Sequence, residues 1–229
     1  MYHYKKLIAL CLCLPVVCRA QTDKFNFGLS APLYVQYNTI DGENRFQRLF
    51  GAFGIDALLK VNGTEENSMS FIMAVGEFAD VRPFRLDVSS KLTTDLLFLN
   101  INPMVSIPSK WPRIRYNLGF GLLVRLGEEV DFSSENSQYP GYYATNLDTV
   151  SKILDSKSRG IIPFISAGVS ADMGTHFQFQ LSIQPTLFDF YEPDTHINYV
   201  TSFSNHNFIM AYQPIYLGVR LYYFIRPNR

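Results

Sequence analysis

The run Phe25-Asn26-Phe27-Gly28-Leu29-Ser30-Ala31-Pro32-Leu33-Tyr34-Val35-Gln36-Tyr37 decides the fold class. Its odd positions are apolar or aromatic. Its even positions are mostly small or polar: Asn26, Gly28, Ser30 and Gln36. A period of two is the strand period; a helix would group apolar residues three and four apart. Phe177, Phe179, Leu181 and Ile183 repeat the pattern, alternating with Gln178, Gln180, Ser182 and Gln184.

Six further runs alternate with these apolar faces: Leu49, Phe53, Ile55, Ala57, Leu59 and Val61; Met69, Phe71, Met73 and Val75; Leu97, Leu99, Ile101 and Val105; Tyr116, Leu118, Phe120, Leu122 and Val124; Ile161, Ile165, Ala167 and Val169; Ile215, Leu217, Val219, Leu221, Tyr223 and Ile225. About eight strands follow, long enough to cross a bilayer when tilted, which takes roughly 9–11 residues. Their connections alternate in length. Long ones are expected at 38–45, 79–90, 128–157 and 189–206, with a short helix after Asn146. Short ones are expected at Asn62-Gly63, Pro108–Pro112 and Asp172-Met173-Gly174. That rhythm predicts an all-β, antiparallel up-and-down barrel with both chain ends at one rim. Pro32, Pro103, Pro163, Pro185 and Pro214 conflict with it, since proline removes a ladder donor and a closed sheet has no edge to excuse it. Some of them are expected at bulges or strand ends.

Alternation alone does not say which face points outward. The second face does. A water-facing wall would be rich in Lys and Glu. Here it is mainly Gly, Ser, Asn and Gln, with sparse charges at Asp56, Lys60, Arg115, Arg125 and Arg220. All five share the polar phase, so they are expected to form a charge network in a narrow polar lumen, leaving the apolar face to lipid. Aromatic girdles are expected near strand ends: Phe25, Phe27, Trp111, Tyr116, Phe177 and Tyr223 at one rim, Tyr37, Phe46 and Phe190 at the other.

Residues 1–20 read as a cleaved secretory signal, with Lys5 and Lys6, an apolar stretch Leu7–Val17 and a small residue at Ala20, leaving a 21–229 barrel domain. Bulky Val17 argues against Cys18 as a lipidated residue. All three cysteines fall in that segment, which excludes a disulfide framework or thiol chemistry from the remainder. Without Lys5, Lys6 and Arg19 the chain has 17 basic and 20 acidic residues, a net charge of −3. No basic block remains to bind nucleic acid.

Near the C-terminus, Tyr216, Gly218, Leu221 and Tyr223 resemble the assembly signal of bacterial outer-membrane barrels: a polar residue, a glycine, then hydrophobic and aromatic residues. With the Ala20-Gln21 junction and the Gln-Pro pairs at Gln184-Pro185 and Gln213-Pro214, the chain resembles the PorT-like barrels of Bacteroidota. It is similar in architecture to small OmpX- and OmpW-type barrels. The resemblance implies an outer-membrane location, periplasmic termini, contact with outer-membrane lipid, and insertion by the barrel-assembly machinery.

Chemistry is sparse. Asp194-Thr195-His196 resembles the Asp-x-His of omptin proteases, without a clear second acidic pair; neither His196 nor His206 supplies the His-x-Ser of lipid A deacylases. His196, His206, Asp194 and Glu192 match no closed metal-site spacing. Gly119-Phe120-Gly121 is no phosphate loop. The expectation is therefore a non-enzymatic barrel with no catalytic residue, metal or cofactor. It would be an accessory or interaction component that meets another envelope protein through the 128–157 loop. A narrow channel for small or apolar solutes, or an outer-rim hydrolase of lipid A or peptides, are the alternatives.

Overall fold

Eight long strands close into one barrel. The computed structural model describes residues 25–40, 43–46, 51–63, 68–85, 90–134, 157–192, 196–200, 205–209 and 213–225. In chain order the elements are β1 (Phe25–Ile40), β2 (Glu43–Phe46), β3 (Ala52–Val61), β4 (Ser70–Arg85), β5 (Ser90–Pro108), β6 (Ile114–Ser134), β7 (Ile161–Met173), β8 (Phe177–Pro185), β9 (His196–Val200), β10 (Asn205–Ile209) and β11 (Ile215–Phe224). Strands β1, β3, β4, β5, β6, β7, β8 and β11 pair antiparallel in sequence order, and β11 returns to β1 to shut the sheet. β2 folds back on the end of β1, and β9 pairs with β10 as a separate hairpin.

The register fixes the barrel's shape. Following paired residues from Phe25 through Val61, Phe71, Val105, Leu118, Ala167, Ile183 and Leu217 returns to β1 at Val35, a stagger of ten residues. Eight strands with that stagger tilt by roughly 43° and leave an interior that side chains fill. Phe25 and Phe224 lie at the rim of short turns; the connections β4–β5, β6–β7 and β8–β11 leave the opposite rim.

Inside and outside are inverted relative to a barrel in water. Leu29, Ile55, Leu118, Phe120, Leu181 and Leu221 stand exposed on the outer wall. Asn26, Ser30, Asp56, Lys60, Asn100, Asn102, Gln180 and Arg220 are buried inside. A wall this apolar requires an apolar surrounding, because monomers in water rarely expose patches beyond a few hundred Å².

Several expected connections are shorter than the sequence reading places them. β4 and β5 stay paired to Arg85 and Lys91, so most of 79–90 is strand. β6 runs to Ser134, which puts Glu128, Glu129 and Asp131 on a strand rather than in a 128–157 loop. Continued pairing satisfies backbone groups that a loop would leave to solvent. The expected 189–206 loop contains β9 and part of β10. β3 ends at Val61, just before Asn62-Gly63, and β4 begins only at Ser70. The helix expected after Asn146 lies outside the described residues, as does the 1–20 segment.

Two prolines fall at strand ends, as expected: Pro185 ends β8 and Pro214 precedes β11. Pro32, Pro103 and Pro163 lie inside strands with no bulge at them. β1–β3 pairing lapses at Ala31 and Pro32 and resumes in register at Leu33↔Phe53. β5–β6 pairing lapses at Asn102 and Pro103 and resumes at Ile101↔Leu122. The missing N–H thus removes local pairing on one side without a slip. The register shift in β5–β6 falls between Leu97 and Phe98, opposite Leu126, where there is no proline.

Candidate functional site

The sequence reading gives a polar lumen. The structure gives a layered one, in which large apolar side chains share the inward phase. Towards the short-turn rim, Leu58, Ile72, Ala74, Met104, Tyr222 and Phe224 form a buried apolar cluster. Between it and the rim, Lys60 Nζ lies 5.2 Å from the Phe224 ring centre. Arg115 is tied to the wall by Nε to Ser106 Oγ (2.9 Å) and Nη2 to the Ser68 carbonyl (2.7 Å).

The middle layer is ionic. Arg220 Nη2 lies 3.5 Å from Asp56 Oδ2, with the two side chains 1% and 0% exposed. Asp56 also accepts hydrogen bonds from Ser30 Oγ and Asn100 Nδ2, each at 3.0 Å. Arg220 donates to Tyr34 Oη at 3.2 Å. Tyr222 Oη donates to Gln180 Oε1. A charge this deep is tolerable only with a partner and hydrogen bonds on its remaining lone pairs.

Above the ionic layer the lumen is shut by rings. Tyr34, Phe78 and Tyr216 come from β1, β4 and β11, with centroids 5.3–5.9 Å apart. Glycines make room for such side chains. A Cβ at Gly218 would lie 2.5 Å from Tyr34 Cδ1, and one at Gly121 would lie 2.3 Å from Phe164 Cζ. Alternating small and large inward residues is how a small barrel fills its taper. Tyr216 Oη and Gln36 Nε2 both donate to Asp80, and Gln36 also reaches the Gly51 carbonyl at 2.9 Å.

The long-loop mouth is capped from above. The segment after β8 folds back through a bridge between Ser158 and Tyr191 and a hydrogen bond from Arg159 N to the Phe190 carbonyl (2.7 Å). It inserts Phe190 against Phe98, centroids 5.2 Å apart. Phe190 is therefore a buried plug rather than part of an outer aromatic girdle. Tyr191 Oη donates to Glu128 Oε1 (3.1 Å), whose other oxygen is 3.3 Å from Arg125 Nη1.

Of the five charges singled out in the sequence, the structure brings Asp56 and Arg220 together. Lys60 and Arg115 stand at the short-turn end and Arg125 at the other, paired with Glu128. Sequence reasoning missed Asp80, Glu128 and Asp172. With them, the described lumen charges balance: Lys60, Arg115, Arg125 and Arg220 against Asp56, Asp80, Glu128 and Asp172. Tyr216 and Gly218 of the expected assembly signal face inward, while Leu221 and Tyr223 stand 45% and 42% exposed on the wall.

No group of three or more metal-ligating side chains occurs among the described residues. Of the residues weighed for chemistry, Asp194 lies outside the description, and His196 and His206 sit on β9 and β10. On the outer wall, an open apolar hollow of about 930 Å³ is lined by Val35, Leu118, Ala167, Leu181, Leu217 and Val219, among others.

No protein-family model and no curated protein matches the sequence. Among solved structures the chain is similar to Ail, the attachment invasion locus protein of Yersinia pestis, at 10% identity and a TM-score of 0.42, over 88% of this chain and 99% of that one. It is similar to Neisserial surface protein A at 12% identity and 0.39, over 86% and 96%. The outer membrane protein AlkL, solved in lipid bilayers, is similar at 10% and 0.39, over 90% and 93%. At these levels nothing about activity carries across, and the PorT-like resemblance rests on sequence pattern alone.

Proposed function

We propose that this chain is a non-enzymatic integral outer-membrane barrel with a sealed lumen, serving as a structural or interaction component of the envelope. The observation that carries this reading is the pairing of a lipid-compatible wall with a lumen closed by Tyr34, Phe78 and Tyr216 above an Asp56–Arg220 ion pair. A wall of exposed Leu, Ile, Phe and Val is stable only in hydrocarbon, and a closed barrel satisfies its backbone there. Both chain ends then lie in the periplasm, with Trp111, Tyr116, Phe177 and Tyr223 at the inner interface. The extracellular rim carries the 135–156 connection, through which a second envelope protein is expected to bind.

The edge-to-face and tilted rings favour a silent barrel over a channel, since a solute path would have to displace them. The test combines location with conductance. The protein should fractionate with outer membranes, migrate as a heat-modifiable band, and give no steady current in planar bilayers. A variant carrying Tyr34→Ala, Phe78→Ala and Tyr216→Ala should become leaky if it folds, which validates the assay. A soluble protein, or a steady current from the native chain, overturns the proposal.

A further inference from the structure

One carboxylate breaks the charge pattern of the wall. Glu77 lies on β4 in the outward phase of Phe71, Met73 and Val75, and is exposed. Its cross-strand partners are Ile55 on β3 and Leu99 on β5. No hydrogen bond or ion pair reaches it among the described residues. It stands eight residues beyond Met69 at the short-turn rim, about 19 Å up the wall at ~3.3 Å per residue and a tilt of roughly 43°. That depth is inside an apolar band about 25 Å tall. The next described outward charge above it is Asp95, paired with Val81 four residues further along β4. Every other described charge within the band faces the lumen. An ionisable residue in such a place is a candidate functional site, and the question is what partners it.

We propose that the wall formed by β3, β4 and β5 around Glu77 docks a second membrane-embedded protein, which presents a lysine or arginine at the depth of Glu77. This rests on the chain being a membrane barrel. The occupant follows from charge complementarity. A carboxylate in hydrocarbon is stabilised by a counter-charge and by exclusion of lipid around the pair. Phe53 and Ile55, 51% and 59% exposed, flank Glu77 and supply the apolar contact that would screen the pair. A second copy does not fit. Copies in one membrane have parallel axes, so equal depths meet, and the described outer wall offers no lysine or arginine at that level. Two copies would bring carboxylate against carboxylate.

A photo-crosslinking amino acid placed at Ile55 in the full-length protein, in intact cells, tests this. The same residue at Leu181, 57% exposed on the far side of the barrel, is the control. Each variant is first shown to be a heat-modifiable outer-membrane band, so a failure of the membrane reading is seen separately. The expected result is one adduct from position 55 and none from 181. It should fall about tenfold or more with Glu77→Gln or Glu77→Lys, the scale of losing one member of a buried charge pair. Mass spectrometry should identify a membrane protein with a lipid-facing lysine or arginine. Changing that cation to glutamate should restore the adduct in Glu77→Lys. A folded barrel with no adduct at 55, an adduct at twice the chain's own mass, a lipid-only adduct, or one indifferent to Glu77→Gln overturns the proposal.

Discussion

Asp56 and Glu77 are neighbours in the sheet and opposites in setting. Asp56 pairs with Gly76 and Ile55 pairs with Glu77, so the two carboxylates are one register step apart across β3 and β4. Asp56 points inward, is fully buried, and meets Arg220, Ser30 and Asn100. Glu77 points outward among Ile55 and Leu99 and meets no described partner. The pleat alone separates them. In this barrel the face of the strand, far more than depth, decides whether a charge is compensated within the chain. Breaking the inner pair should therefore cost much, and removing the outer carboxylate should cost nothing or help.

Arg220→Met has the largest expected effect. It leaves Asp56 buried and charged without its ion partner, a loss of about 3–5 kcal/mol. Denaturant unfolding of the barrel in lipid vesicles, read by the heat-modifiable band, measures it. Adding Asp56→Asn should recover most of that loss, because no uncompensated charge remains. A single variant within about 1 kcal/mol of native would mean that Asp56 finds compensation elsewhere, and the contrast between the two faces would fail.

Glu77→Leu should act in the opposite direction. A charge facing lipid costs most at mid-bilayer and less towards either interface, and a carboxylate costs less than a lysine or arginine, so at the depth of Glu77 the purified barrel should gain up to about 1 kcal/mol. The same unfolding assay, without any partner protein present, checks this. A loss of stability would place Glu77 in an internal interaction and erase its difference from Asp56. A gain sharpens the comparison: the residue is then retained at a cost to the isolated chain, as a binding residue would be.

The contrast was half legible in the sequence. Period-two alternation gave the barrel and put Asp56 and Arg220 on one phase. The same alternation, carried two residues past Val75, puts Glu77 on the wall; the run was read as ending where its apolar residues end. The aromatic seal was not legible. Tyr34, Phe78 and Tyr216 are far apart in sequence and reach one level only through the ten-residue stagger, which depends on every register in the ring. Alternation reports a face and no height. Phe190 lies outside the periodic runs, so only its fold-back over the mouth reveals it as a plug. The mid-strand prolines were visible as residues, but whether each would shift the register or merely lapse depends on the pairing held on either side.

The smallest effect is expected at a pair whose charges are closer than those of Arg220 and Asp56. Lys157 Nζ and Glu192 Oε2 are 3.2 Å apart at the long-loop mouth, nearer than Arg220 and Asp56 at 3.5 Å. Their side chains are 50% and 52% exposed, so water and salt already compensate each charge. Exposed pairs contribute about 0–1 kcal/mol. The loop is also held without them, by the hydrogen bond from Glu192 N to the Lys157 carbonyl at 2.9 Å. Lys157→Ala should therefore shift unfolding by less than about 0.5 kcal/mol, and raising salt to about 1 M should erase even that, since the screening length falls to roughly 3 Å. The Asp56–Arg220 pair, sealed from ions, should keep its full effect at the same salt. If the two pairs instead weakened together, the lumen would be open to electrolyte, and the rings at Tyr34, Phe78 and Tyr216 would not be the seal that separates inside from outside.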